Sequence, residues 1–296
     1  LNALLVFNPG AGRARSLDPL GLLAALKKCG LQARLLVLDD PARAPGAVKQ
    51  ALRESPAQFQ RIIAAGGDGT IHSLLPALVE SPCAIPLAIL PLGSVNVFMR
   101  ELGLPRALPA AIEIAAHGKP RPVDLGLFNG NPFILMAGLG FDGAVVKEIK
   151  GNVKARLGSL TYGLQGLRML FAQPAQNFHI VCDDAAVQAR AWQIVVANAS
   201  HYTYSRSLAP HARIDDGRLE VCILPEGGRR LRLRQVLAIL LGHPAEGLIK
   251  YLSGRRITIT TESAVAVQMD GDPMPAITQA QIEILPRRLQ VMTPKS

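Results

Sequence analysis

Ile62-Ile63-Ala64-Ala65-Gly66-Gly67-Asp68-Gly69-Thr70-Ile71-His72-Ser73-Leu74-Leu75 opens on an apolar run, passes through three glycines within four residues, and continues with apolar residues at helical spacing. A short apolar run that stops at glycine reads as a buried strand, and the spacing beyond it reads as a helix. The same alternation extends outward. Leu4–Phe7, Ala33–Leu38 and Pro86–Leu90 read as further buried strands beside Arg61–Ala65, while Leu17–Cys29, Ala42–Ser55 and Ile71–Glu80 read as helices. Strands alternating with helices predict an α/β, doubly wound parallel sheet, whose ligands bind outside the carboxyl ends of the strands.

The texture changes near Val123. Asp124-Leu-Gly-Leu-Phe-Asn129-Gly130-Asn131-Pro-Phe-Ile-Leu-Met reads as a hairpin turning at Asn129-Gly130. Strand-like runs follow at Phe178–Cys182, Trp192–Ala197, Arg218–Ile223, Arg256–Thr260, Ala264–Met269 and Gln281–Leu285, with helical stretches near Leu157–Phe171 and Leu231–Leu252. The predicted organisation is therefore an α/β domain over residues 1–122 and a β-rich, sandwich-like domain over residues 123–286.

The 296 residues carry 32 Lys+Arg against 22 Asp+Glu, a formal net charge of +10, with 49% hydrophobic and 18% charged residues. That composition excludes a disordered or collagen-like chain. The four cysteines are scattered without a C-x-x-C pair, which argues against a zinc ribbon or a disulfide scaffold and suits a reducing, cytoplasmic compartment. Leu1–Phe7 lacks the basic start and small-residue cleavage site of a leader, so no secretory signal is expected. No uncharged run reaches the roughly 18 apolar residues that span a bilayer, and a soluble chain is expected. The positive surplus is compatible with nucleic acid, anionic lipid surfaces or phosphorylated small molecules. Aromatics at 4% leave few bases-stacking side chains, which argues against nucleic acid.

Two glycine-rich turns are candidate phosphate sites. Asn8-Pro9-Gly10-Ala11-Gly12-Arg13 follows the first strand, where backbone N–H groups can approach an anion. It is neither a Walker A loop nor a dinucleotide fingerprint, because no Gly-Lys-Ser/Thr follows and Arg15 stands where the third glycine belongs. An ordinary turn explains it equally well. Gly66–Thr70 is the stronger signal, with Thr70 a candidate cap for the following helix. Asp68 would repel a phosphate there unless a divalent cation or a reacting hydroxyl lies between; the alternative is a tight turn with Asp68 at the surface.

Gly66-Gly67-Asp68-Gly69-Thr70, with Asn8–Gly12 upstream and Pro91-Leu92-Gly93-Ser94-Val95-Asn96 downstream, resembles the diacylglycerol kinase catalytic domain family, which includes sphingosine kinases and bacterial lipid kinases. The glycine element is shared with NAD kinases. The later Asp124-Leu-Gly, Gly138-Leu-Gly-Phe-Asp142, Asp215-Asp216-Gly217-Arg218-Leu219 and Asp270-Gly271-Asp272 resemble the lipid kinases in order and approximate spacing. The resemblance implies a nucleotide-binding domain and a β-sandwich-like domain, with ATP and a lipid meeting in the cleft. It also implies that the final strand, within residues 287–296, returns to the first domain. ATP contacts carry over onto Asn8, Pro9, Gly10, Ala11, Gly12, Gly66, Gly67, Asp68, Gly69, Thr70, Ile71, His72 and Ser94, with Asp40 near a nucleotide-contacting position. Asp270 matches the family's general base, and Asp272 takes the place of a nucleotide-neighbouring Glu. Arg213 and Arg218, through backbone carbonyls, and Asp216, through its carboxylate, match a structural Mg²⁺ site. An Asp-Gly hairpin turn explains that stretch as well, and both can hold.

The chain departs from the family pattern where His72-Ser73 replace the usual Asn-Glu, and where Val97 stands for an Asp and Ser94 for a Thr. Losing two acidic groups beside the phosphates implies altered metal binding, altered donor choice or loss of activity. Gly227-Gly228-Arg229-Arg230-Leu231-Arg232-Leu233-Arg234 precedes Val236–Leu241 and reads as a basic helix. It either docks on anionic headgroups or covers the second sheet with its arginines solvated. The sequence thus predicts an ATP- and Mg²⁺-dependent lipid kinase in peripheral contact with a membrane surface. The alternatives are an NAD kinase-like enzyme and a non-catalytic lipid- or nucleotide-binding module. Oligomer formation is left open.

Overall fold

Short β-branched and leucine-rich runs form the strands β1 (Asn2–Phe7), β2 (Gln32–Val37), β3 (Arg61–Gly66) and β4 (Leu87–Pro91). They pair in parallel in the order β2-β1-β3-β4. β3 and β4 are buried almost throughout, as strands covered on both faces must be, while the edge strand β2 alternates exposed and half-buried residues. Helices α1 (Pro19–Lys28), α2 (Ala44–Glu54), α3 (Asp68–Glu80), α4 (Val97–Glu101) and α5 (Leu108–His117) connect them. Asp18 caps α1 by accepting the N–H groups of Leu20 and Gly21, with Pro19 at the first helical position. Leu5, Phe7, Leu22, Leu26, Ile63 and Leu90 belong to the core that this arrangement buries.

The computed structural model describes residues 1–54, 59–81, 84–151, 174–201, 208–242 and 247–295. The chain divides into one unit of Leu1–Leu125 with Pro286–Ser296 and a second of Gly126–Leu285. In the first unit, Val291 pairs in parallel with Leu87 of β4.

The second unit is a mostly antiparallel sheet. β5 (Lys119–Phe128) enters it and turns at Asn129-Gly130, both at positive φ, into β6 (Asn131–Phe133). There follow β7 (Met136–Gly140), helix α6 (Phe141–Gly151), β8 (Gln176–Cys182), β9 (Ala185–Ala197), β10 (Leu219–Pro225), helix α7 (Gly228–Leu241), β11 (Lys250–Gly254), β12 (Arg256–Met269) and β13 (Asp272–Thr293). The order β11-β10-β9-β7-β12-β13 runs across this sheet, and β8 pairs with both β9 and β12. Alternate residues of β8 point into the core, where Phe178, Ile180 and Cys182 join Phe133, Ile194 and Val221.

Two expectations change in detail. The runs Arg256–Thr260 and Ala264–Met269 are one strand, β12, whose register against β13 shifts between Thr260 and Val267. The helix expected over Leu231–Leu252 stops at Leu241, where Gly242 takes a left-handed cap at φ 73°, and Lys250–Gly254 is strand. The helical stretch expected near Leu157–Phe171 lies outside the described residues.

Candidate active site

β2 lies on one side of β1 and β3 on the other, so the turns after β1 and β3 sit at the switch point of the first sheet. The two turns are tied together. The Asn8 N–H donates to the carbonyl of Ala65 at 3.1 Å, and its side-chain amide donates to Thr70 Oγ1 at 2.8 Å. Asn8 Oδ1 accepts the N–H of Gly10 at 2.9 Å, which folds Asn8–Gly12 back on itself. The third turn, after β4, joins them: Arg13 N–H donates to Leu92 O at 2.8 Å, and the N–H groups of Leu92 and Gly93 both donate to Gly66 O.

Close approach explains two of these glycines. A Cβ on Gly67 would lie 2.9 Å from the Cα of Gly93, and one on Gly93 would overlap the Cα of Gly67. The two backbones therefore touch. Gly69, in the first turn of the helix, differs, because a Cβ there would meet nothing within 4 Å. Gly67 is the N-cap of α3, and no side chain caps that helix. Amides at an uncapped N-terminus beside open space form a ready anion site.

Thr70 is not the cap expected of it. It lies inside the first turn, 2% exposed, with its hydroxyl held by Asn8. Asp68 also has a structural job that the sequence hid. Its Oδ2 accepts the N–H of Val97 at 2.8 Å and its Oδ1 that of Phe98 at 3.0 Å, so it caps α4 from a distance. The carboxylate is thereby set against the positive end of a second helix. Val97, the departure from the family's Asp, supplies one of those amides and buries its side chain. Ile71 is buried, so only its backbone can face a ligand, whereas His72 is half-buried and Ser73 donates to Thr70 O at 2.7 Å. Ser94 is exposed, its Oγ 2.7 Å from where a Cβ on Gly12 would fall, and its carbonyl accepts from Arg106. Asp40 follows β2, where it accepts the N–H of Ala42 and pairs loosely with Arg43 at 3.7 Å.

In the second unit Asp270 and Gly271, at φ 48° and 85°, form the two-residue turn between β12 and β13, with Asp272 opposite Met269. Positive φ at both positions is the type I′ pattern, which favours Asp or Asn before Gly. The Asp270 carboxylate is clamped: Oδ2 accepts the N–H of Ile134 at 2.8 Å, and Oδ1 accepts those of Leu135 at 2.8 Å and Met136 at 3.0 Å. Three of a carboxylate's roughly four acceptor directions are thus taken by backbone. The group is held rigidly, as a preorganised functional side chain must be.

The candidate metal loop precedes β10. Asp216 Oδ1 accepts the Arg218 N–H at 2.9 Å, and Gly217 turns the chain at φ 72°. The Arg218 guanidinium bonds Ser253 and lies 3.8 Å from Asp183, so only its carbonyl is suited to a cation. Glu220 follows, 4% exposed, with Oε2 accepting the His211 N–H at 3.2 Å and Oε1 meeting no hydrogen-bond donor among the described residues. Burial pushes its carboxyl up; the charge of His211 and nearby amides oppose that, and the charge of Asp216 adds to it. Among the described residues no group of three His, Cys, Asp or Glu is placed to hold a metal, so a cation here relies on carbonyl oxygens.

The other motifs are packing devices. Asp124 is fully buried and accepts the N–H of Arg287 at 2.6 Å. A Cβ on Gly138 would lie 2.8 Å from Gln268 Nε2, and one on Gly143 would overlap the backbone of Ala266 and Val267. Sequence reasoning missed Asn96, which is 2% exposed, left-handed at φ 56° and the N-cap of α4. Its role carried no sequence signal, because the helix it caps is only five residues long.

Residues 2–128 match the diacylglycerol kinase catalytic domain, and residues 136–293 match the YegS C-terminal NAD kinase beta sandwich-like domain. A Bacillus subtilis protein named diacylglycerol kinase is 28% identical over 297 residues, covering 99% of this chain and 96% of its own. A Pseudomonas aeruginosa protein named "Probable lipid kinase YegS-like" is 30% identical over 274 residues, covering 92% of this chain and 88% of its own. A crystal structure described as a diacylglycerol kinase from Bacillus anthracis superposes with a TM-score of 0.73 at 22% identity, over 98% of this chain and 96% of that one, and so shares the fold. With both domains matched in order along nearly the whole chain, it belongs to the diacylglycerol kinase catalytic domain family of lipid kinases, in the group that carries a YegS-type C-terminal domain.

Proposed function

We propose that the chain transfers the γ-phosphoryl group of ATP to the hydroxyl of a diacylglycerol-like lipid. The observation that carries the nucleotide half is the open space at Gly69 beside the uncapped N-terminus of α3, within turns where neighbouring glycines touch. Backbone amides there would take the phosphates. With no P-loop lysine in the chain, exposed Arg13 and Arg15 would add positive charge. Asp270 is the proposed base. It accepts the proton of the lipid hydroxyl as that oxygen bonds to the γ-phosphorus and the bond to the ADP oxygen breaks. Its three backbone donors fix the direction in which it receives the proton.

Incubation with labelled ATP, magnesium and a panel of diacylglycerol, phosphatidylglycerol, a sphingoid base and NAD tests this reading. A labelled phospholipid and no labelled NADP is the expected result. Labelled NADP alone would favour an NAD kinase-like enzyme, and calorimetric ATP binding without any product a non-catalytic module.

A divalent cation also fits the loop before β10. Arg213 and Arg218 would hold it through carbonyls and Asp216 through its carboxylate, a hard-oxygen set suited to Mg²⁺. The buried Glu220 Oε1, which meets no hydrogen-bond donor among the described residues, supports that fit. The ion's chemistry there is structural, bracing the turn. At an ion concentration of about 100 times its Kd, magnesium should stabilise the wild-type protein by about 2–3 kcal/mol. Thermal melts with magnesium and with EDTA check this, and Asp216→Ala should lose the difference.

A further inference from the structure

Helix α7 is anchored by polar side chains and leaves a leucine stripe exposed. The side chains it buries are polar: Arg232 is 6% exposed and Gln235 fully buried. Arg232 bonds Glu226, with Nε at 3.1 Å, and lies over the Trp192 ring, 5.7 Å from its centroid. Gln235 accepts from Trp192 Nε1 at 2.7 Å and donates to the carbonyls of Pro225 and Leu248 at 3.1 and 2.8 Å. These bonds anchor the inner face, beside the half-buried Leu231, Val236 and Ile239. Leu233, Leu237, Leu240 and Leu241 are instead 42, 47, 48 and 71% exposed. Spaced i, i+4, i+7 and i+8, they form one outward apolar stripe, where a surface helix ordinarily carries polar residues.

Exposed Arg229, Arg230 and Arg234 share that outer face, toward the helix N-terminus. Cations at the positive end of a helix dipole are unfavourable, and the adjacent acidic side chain, Glu226, is engaged by the Gly228 N–H and by Arg232. A basic cluster beside an exposed apolar stripe suits an anionic, partly apolar counterpart. A second copy of the chain is a poor occupant, since pairing would bring two sets of arginines together. A helix of 14 residues also offers only about 200 Å² of face, against about 800 Å² per partner in a stable interface.

We propose that the outer face of α7 is a docking surface for an anionic phospholipid bilayer, with Leu233, Leu237, Leu240 and Leu241 entering the headgroup–acyl boundary and the three arginines pairing with lipid phosphates. Among the described residues no helix is long and apolar enough to cross a membrane, so this contact lies on the surface. It brings the protein to where a diacylglycerol-like acceptor resides and in that sense extends the lipid-kinase reading, yet it is measured without ATP or turnover.

Flotation of the full chain with vesicles of phosphatidylcholine alone, or of phosphatidylcholine and phosphatidylglycerol in equal parts, tests it. Wild-type protein should float with the anionic vesicles, and added salt should weaken that binding. L237S/L240S/L241S should lower vesicle affinity by about tenfold or more. R229Q/R230Q/R234Q should lower affinity for the anionic vesicles by about a hundredfold, about fivefold for each charge. The arginine variant changes no buried residue, so it remains informative should the serine variant melt early. On a short-chain, dispersed lipid both variants should turn over as wild type does, and on vesicle-borne lipid more slowly. Undiminished flotation of either variant overturns the proposal. So does a wild-type chain that ignores both vesicles but is a dimer in solution, dissociated by the serine substitutions. Vesicle binding without any kinase product would leave this surface standing and count against the lipid-kinase reading alone.

Discussion

Asp270→Asn should reduce lipid phosphorylation by about a hundred- to ten-thousandfold, the usual contribution of a positioned proton acceptor. The substitution suits the backbone, because Asn tolerates the left-handed φ of 48° at least as well as Asp. It does not suit the clamp. The amide oxygen can still accept from Leu135 and Met136, but the NH2 group then faces the N–H of Ile134, donor against donor. That mismatch should cost about 1–3 kcal/mol, visible as a lower Tm. The two effects separate the two roles of this side chain. Where activity falls only in step with the folded fraction, Asp270 is a clamp and nothing more. Where the folded, ATP-binding variant is inert, the base role holds.

Gly93→Ala should be among the most damaging methyl groups in the first unit. Its Cβ would overlap the Gly67 backbone and press on Asn96 Oδ1, in a buried side chain held by its bond to Gly93 O. Overpacking of this kind costs about 1–3 kcal/mol, and it would pry apart the turns after β3 and β4. ATP affinity measured by calorimetry should drop with Tm. Gly69→Ala is the matched contrast. With nothing within 4 Å and a helical position, the added methyl should raise stability by about 0.5–1 kcal/mol. Any loss of nucleotide affinity in that variant reports on the ligand rather than the fold. Unchanged ATP binding in Gly69→Ala would move the phosphates elsewhere.

The parallel half of the fold was legible because its strands are buried on both faces and its helices are not. Continuous runs such as Ile62–Ala65 next to periodic ones such as Ile71–Glu80 leave little choice. Asn129-Gly130 was equally plain, since few dipeptides take two positive φ values. What escaped was set by tertiary contact. β12 looked like two strands because its register shift interrupts the alternation, and β11 was read as helix because a short apolar run after a helix has no period of its own. Asp68 was read toward a ligand when its partners, Val97 and Phe98, lie in a helix too short to show itself in the sequence. The polarity of α7 was equally hidden. A run of alternating Arg and Leu does not say which side faces Trp192, and the buried Gln235 decides it.

Because Val291 lies beside Leu87, the strand that completes the first sheet is translated only after the whole of Gly126–Leu285 has been synthesised. Until then β4 offers an unpaired, apolar border to any neighbouring nascent chain. Completion of the first unit thus waits on synthesis of the second, and a fragment ending at residue 125 would lack the strand beside β4.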